Sequence, residues 1–271
     1  MADIAGFEIL IYFFENVDIL LLIFVRCLGF LVAVPIFSGQ NMFMQARIFF
    51  ALCLAVSLFM SGMVSTVYIA NDTTLGYVYM ILLEFLVGMA MGYVVLAVFS
   101  LIFFAGQIMD FSIGLMMVNA VDPMTQMQVP VTGNIFYMGL MALLVATGGM
   151  HALFLTFFQS YEILPIGTAF VIGNQPLAWY IVYLLVESTI LAVRLAMPIL
   201  GSMMLVTIAL GITVKTVPQL NVFVVGLPLR LLIGSIMLFM VMIPNLGAMF
   251  GHIFNMAHLA MWEVIWGMRP L

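Results

Sequence analysis

Charge is what this sequence has least of: only 6% of its 271 residues are Asp, Glu, Lys or Arg, against roughly a quarter in soluble globular domains. That scarcity excludes a water-soluble monomer. Six basic and 11 acidic side chains cannot cover the roughly 11,000–12,000 Å² that a folded chain of 30.0 kDa exposes. Lipid or partner protein must cover the rest. Basic residues do not cluster and the net charge is -5, so phosphates find nothing to neutralise them and nucleic acid is not expected as a partner. Only two cysteines occur, Cys27 and Cys53, each inside an apolar stretch, which suits core residues better than a disulfide or a metal pair. Catalytic signatures are missing as well: there is no G-x-S-x-G, H-E-x-x-H or C-x-x-C, and the single lysine, Lys215, does not follow the glycine of a P-loop. His252 and His258 lie six apart rather than at the i, i+4 spacing of a metal pair. Asp110 is alone among the aspartates in lying deep within an apolar run, where an intramembrane aspartyl protease needs two. No enzyme, cofactor or metal is expected.

What is present is oil, 66% of the chain, arranged in long runs. Ile48 to Asn71, Phe85 to Met109, Ile163 to Val186 and Leu195 to Val214 carry no charge, and Pro123 to Tyr161 and Leu231 to Trp262 carry only histidines. Ile9 to Pro35, broken by two acids and Arg26, is a further candidate. About 20 apolar residues in helix cross a bilayer core, and only helices or closed barrels satisfy their backbone there. The ten-residue alternation of an outer-membrane barrel is missing, so the fold class is all-α, with about six long apolar helices in one domain over residues 1–271. The acidic N-terminus (Asp3, Glu8, Glu15, Asp18) lacks the features of a secretory signal and reads as part of the mature protein. Turns are expected at Val34-Pro35, Asn71 to Thr74, Asp122-Pro123, Thr147 to Gly149, Leu164 to Gly167 and Gly173 to Pro176. The arginines are too few and scattered to set a topology.

Ionisable groups at apolar depth face a partner, a cavity or water, and the clearest are Arg26, Glu84, Asp110, Glu187 and Arg194. Glu187 and Arg194 read as a structural ion pair along one helix. Pro198, and Pro218 with Gly226 and Pro228, are expected to break or bend the last apolar regions. Gly88-xxx-Gly92 and Gly247-xxx-Gly251 signal close helix contacts, and Trp179, Trp262 and Trp266 read as interface anchors. The segment Gly106 to Pro130 is a poor spanning helix, mixing Gly114, Asn119, Asp122 and Pro123 with Met109, Met116, Met117, Met124 and Met127. Methionine is adaptable enough to seal around a passing chain and reseal, yet the residues alone favour a packed or re-entrant loop in a chain with 26 methionines.

Three stretches carry a resemblance: Gly106-Gln107-Ile108-Met109 through Gly114 to Val121-Asp122-Pro123; Leu164-Pro165-Ile166-Gly167; and above all Pro218-Gln219-Leu220-Asn221-Val222-Phe223-Val224-Val225-Gly226-Leu227-Pro228. Together with the order of apolar segments along nearly the whole chain, they resemble the FliR family, the R-type subunits of the type III secretion export gate, with flagellum preferred over injectisome. The resemblance implies kinked, hydrophobic hairpins packed largely against partners, with a P-type-like part over about 1–175 fused to a Q-type-like part over about 176–271. It implies one copy of this chain with five P-type and four Q-type subunits, and FlhB, FlhA and unfolded flagellar export substrates as further partners. The place implied is the inner membrane at the flagellar basal body, in contact with lipid, with much of the assembly toward the periplasmic side. It also implies a pore plug in the segment holding Gly114, Met116, Met117, Asn119, Asp122, Pro123, Met124 and Met127, which turns the preference for that segment to gating. The rival from another class is a stand-alone secondary transporter with the five buried charges lining a solute path. It calls for an internal inverted repeat, which the sequence does not display.

Overall fold

The computed structural model describes residues 16–38, 42–62, 64, 74–116, 130–167, 175–217, 219 and 221–269. These are helical throughout, with no strand among the described residues: α1 (Val17–Ala33), α2 (Pro35–Ser38), α3 (Met44–Ser61), α4 (Thr74–Ile113), α5 (Val131–Ala146), α6 (Gly149–Ile163), α7 (Gln175–Thr216), α8 (Val222–Met237), a π-helical turn (Leu238–Met242) and α9 (Ile243–Gly267). Proline and glycine punctuate them as the sequence suggests. Pro35 opens α2 and Pro130 precedes α5, where a missing N–H costs nothing, and Gly62 and Gly148 end α3 and the α5 turn with positive φ of 66° and 74°.

The chain divides into two compact units, one formed by Met1–Leu96, Met150–Val182 and Ala257–Leu271, the other by Ala97–Gly149 and Tyr183–Met256. In the first, α1 packs against α3, and Phe30 stacks on Phe157 with ring centroids 4.3 Å apart while Phe37 stacks on Phe50 at 5.3 Å. Glycine lets α1 and α4 approach backbone to backbone. A Cβ on Gly88 would strike the Arg26 carbonyl, one on Gly92 would lie 2.7 Å from Ala33 Cβ, and one on Gly29 would lie 2.5 Å from the Phe85 carbonyl oxygen. In the second unit, Phe99, Ile102, Met109, Ile113, Leu140, Leu144, Ile199 and Phe250 are buried, and Phe103 packs on Tyr137 at 4.6 Å. The Gly247 and Gly251 pair departs from expectation: a Cβ at either would meet nothing within 4 Å, so this pair makes no close contact with the described residues of its own chain.

Helix boundaries depart from the uncharged runs. Among the described residues, three helices, Met44–Ser61, Thr74–Ile113 and Ala178–Thr216, are long and apolar enough to cross a membrane, or four if the broken pair α5 and α6 counts as one span. The expected runs ending at Val186 and starting at Leu195 are joined in one helix, since Glu187 and Arg194 lie within α7, and Glu84 and Asp110 lie within α4 instead of ending it. The prolines are a second correction. Helix continues through Pro198 in α7 and Pro228 in α8, with Gly226 buried inside α8. Each proline removes the amide donor for the carbonyl four residues earlier, that of Arg194 and of Val224, without ending the helix. The interruption falls between Thr216 and Val222, where the Asn221 carbonyl receives the amides of Val224 (3.1 Å) and Val225 (3.2 Å); Pro218 lies outside the described residues.

Candidate functional site

Two buried polar constellations stand out in this apolar chain, one in each unit. In the first, Arg26 from α1 donates through Nε to Glu84 Oε2 of α4 at 2.5 Å, and both are buried. The Arg26 Nη1 donates to the Leu164 carbonyl at 3.0 Å, and Glu84 Oε1 accepts the Gly167 amide at 3.2 Å. The guanidinium lies 4.4 Å from the Tyr161 ring centroid, and the Tyr161 hydroxyl donates to the Ile23 carbonyl at 3.3 Å. A buried ion pair is tolerable only when its remaining hydrogen-bonding capacity is used. Here the turn Leu164-Pro165-Ile166-Gly167 uses it, supplying one acceptor to the cation and one donor to the anion. The pair therefore holds α1, α4 and the turn after α6 together.

In the second unit, Asp110 links the ends of the connection between α4 and α5. Its carbonyl accepts the amides of Gly114 and Leu115, both at 3.0 Å, and Gly114 turns the chain out of helix at φ +96°. Its carboxylate accepts the Thr132 amide, with Oδ2 at 3.2 Å and Oδ1 at 3.4 Å, and also the Thr132 hydroxyl. Thr132 lies in the first turn of α5, and Pro130 in front of it offers no side-chain cap. Asp110 thus caps α5 from another helix, where an N-terminal partial positive charge favours a carboxylate. Alongside, Gly106 and Gly133 meet so closely that a Cβ on Gly106 would run into the Gly133 backbone. A cavity of about 510 Å³ adjoins this base, lined by Leu115, Val131, Thr132, Ile135, Phe239 and Phe250.

Of the five charges expected at apolar depth, Arg26, Glu84 and Asp110 are buried, Glu187 is half-buried and Arg194 is exposed. The expected Glu187–Arg194 pair is not formed, since seven residues are two turns, about 10.5 Å along the axis, beyond the i, i+4 neighbours that meet on a helix. Of the gate residues, Gly114 and Met116 are described, just after α4; Met117, Asn119, Asp122, Pro123, Met124 and Met127 lie outside the described residues. Thr132, Tyr161 and the backbone of Leu164 and Gly167 were not marked by the sequence as partners of the buried charges. The turn signal Leu-Pro-Ile-Gly was legible, but not what it would touch.

Long apolar helices stand exposed among the described residues. Helix α7 is 42 residues long, about 63 Å, and α4 is 40 residues, about 60 Å, each twice the roughly 30 Å of a bilayer's hydrocarbon core. Along α7 the side chains of Met197, Met204 (66%), Leu205 (70%), Ile208 and Ile212 stand exposed, and Gly201 and Gly211 have no neighbour within 4 Å of a Cβ. Lipid can cover about half of such a helix. The remainder requires protein.

These features define an apolar, all-helical membrane protein built to be covered beyond the bilayer by other chains. The chain belongs to the bacterial export proteins, family 1, whose family model matches residues 17–257. It is 34% identical to the flagellar biosynthetic protein FliR of Bacillus subtilis (strain 168) over 82% of this chain and 85% of that one. It is 28% identical to FliR of Escherichia coli (strain K12) over 64% and 65% of the two chains. To the Yop proteins translocation protein T of Yersinia pestis it is 26% identical over 57% and 59%.

Proposed function

We propose that this chain is the R-type subunit of a flagellar type III protein export gate, helping to form and close the pore through which unfolded flagellar proteins leave the cell across the inner membrane. The observation that carries this reading is the pairing of likeness with shape: a FliR-like sequence over 82% of the chain, and apolar helices twice as long as a bilayer is thick. One copy joins five P-type and four Q-type subunits, with residues 1–175 playing a P-type part and 176–271 a Q-type part. The gate works with FlhB and FlhA, at the basal body, with much of the assembly toward the periplasm. The likeness to an injectisome translocation protein, lower and shorter, makes the flagellum the preferred setting.

Closure needs no chemistry. The segment from Gly114 to Met127 leaves α4 as a soft apolar plug, in which Met116, Met117, Met124 and Met127 close around chains of any sequence and reseal behind them. Asn119, Asp122 and Pro123 belong to the same proposed plug. Three measurements test this. The native mass of the purified assembly must exceed that of the 30.0 kDa chain by many subunits, and a stalled export substrate must crosslink to a photoreactive residue at position 116. Replacing all four methionines by serine must raise ion leakage while the assembled mass stays unchanged. A solitary chain, or unaltered conductance with all four replaced, overturns the respective half of the proposal.

A further inference from the structure

We propose that the cavity of about 510 Å³ in the second unit is a binding site for one hydrocarbon chain of a membrane lipid. The proposal does not depend on what the assembly exports. The walls come from Leu115 just after α4, from the first half of α5, and from α8, the π-helical turn and Phe250 of α9. An apolar void of about 150 Å³ already holds a benzene ring, and pockets for small ligands run from about 300 to 1,000 Å³. This one has room for a guest several times the size of benzene. Its lining runs from the exposed side chains of Val131, Ile135 and Phe239 to the buried ring of Phe250, so it is reachable from outside the unit.

The chemistry of the walls decides what kind of guest fits. No charged side chain lines the cavity, and its two hydroxyl residues, Thr132 and Ser235, have already committed their protons. The Ser235 hydroxyl donates to the Leu231 carbonyl at 2.7 Å, and the Thr132 hydroxyl donates to the Asp110 carboxylate. Neither has a donor left for a polar guest, and water, which needs two to four polar partners, finds too few. What the walls offer is Leu, Ile, Val and Phe, a surface that favours hydrocarbon. The π-helical turn is an independent sign of a site. It interrupts helix at Leu238–Met242, and its first two residues, Leu238 and Phe239, both line the cavity. Such turns are rare and occur mostly at functional positions. Lipid is the hydrocarbon at hand, because α4, which leads to Leu115, is long and apolar enough to cross a membrane.

The test uses the full chain, purified with its companion subunits and reconstituted into phosphatidylethanolamine vesicles in which a fraction of the lipid carries a diazirine near the end of one acyl chain. After irradiation, labelled peptides are identified by mass spectrometry. Label is expected on Phe250, which is 1% exposed and which bulk lipid reaches only through the cavity. A Cβ on Gly139 would lie 3.7 Å from the Phe250 ring, an ordinary contact, so Gly139→Leu fills the cavity without displacing backbone. Crowding out even two methylenes of the guest should lower labelling of Phe250 about tenfold, with labelling elsewhere on the chain unchanged. Should Gly139→Leu fail to assemble, Ser235→Leu, at an exposed position of α8, fills the same space. Absence of label on Phe250, or label undiminished in the filled variants, overturns the proposal. Label on Phe250 in the chain purified alone but not in the assembly would assign the cavity to a companion's side chain and overturn it too. A free fatty acid bearing the same diazirine is the last arm: label from it alone, and none from the phospholipid, would overturn the assignment to a membrane lipid.

Discussion

Removing one member of the Arg26–Glu84 pair should cost far more than removing both. In Glu84→Ala the guanidinium of Arg26 stays buried with its carboxylate gone, a loss of about 3–5 kcal/mol. The Gly167 amide, which donates to Glu84 Oε1 at 3.2 Å, loses its acceptor at a further ~1–3 kcal/mol. Arg26→Met strands the carboxylate and the Leu164 carbonyl in the same way. The double variant, Arg26→Met with Glu84→Leu, buries no charge. It leaves only two backbone groups unsatisfied, and the gain of about 1–4 kcal/mol from replacing an ion pair by packed hydrocarbon offsets most of that. The coupling energy should therefore reach about 4 kcal/mol, close to three decades in the unfolding equilibrium. The assay is a double-mutant cycle of denaturant unfolding in detergent micelles, followed through tryptophan fluorescence. Additive effects, or single variants within about 1 kcal/mol of wild type, would refute the reasoning, because they would mean that the site is wet or that the pair is not closed.

Two further outcomes follow from packing. Gly88→Ala should destabilise the protein by about 1–3 kcal/mol in the same titration, since its methyl group meets backbone on α1 that has no side chain to give way, whereas Gly247→Ala should add about 0.5–1 kcal/mol to helix stability; equal effects would refute the α1–α4 contact. A membrane-permeant maleimide should label exposed Cys53 at least about tenfold faster than Cys27, which is buried with its sulfur 3.6 Å from the Tyr161 hydroxyl, and Glu84→Ala should narrow that gap; similar rates in the native protein would refute the closed first unit.

Much of the architecture was legible because it follows from composition. Apolar runs gave helices, Gly88 and Gly92 marked a close crossing, and Pro35 and the Thr147-Gly148-Gly149 turn fell at helix ends. Charge misled because a sequence displays a charge but not its counterpart. Glu84 and Asp110 read as groups at apolar depth in need of a partner, yet each finds it far along the chain, 58 residues away for Arg26 and 22 for Thr132, and with that partner lies inside a helix. Proline misled for a related reason. Pro198 removes one hydrogen bond from a helix of 42 residues, too small a loss to end it. Gly247 and Gly251 illustrate the remaining blind spot, since a close-packing signal does not say whether the neighbour belongs to the same chain.

The lengths of α4 and α7 have a consequence for the supply of this protein in the cell. A newly made copy without companions must tilt, bend or deform the bilayer to hide about 30 Å of greasy helix, and at a fraction of a kcal/mol per ångström the standing penalty is of order 10 kcal/mol. That figure matches the whole folding stability of an ordinary domain. The orphan is therefore born close to its own denaturation threshold, and its lifetime is set by how soon companions arrive. Overproduction should yield little more protein, while co-expression with its companions should yield a great deal.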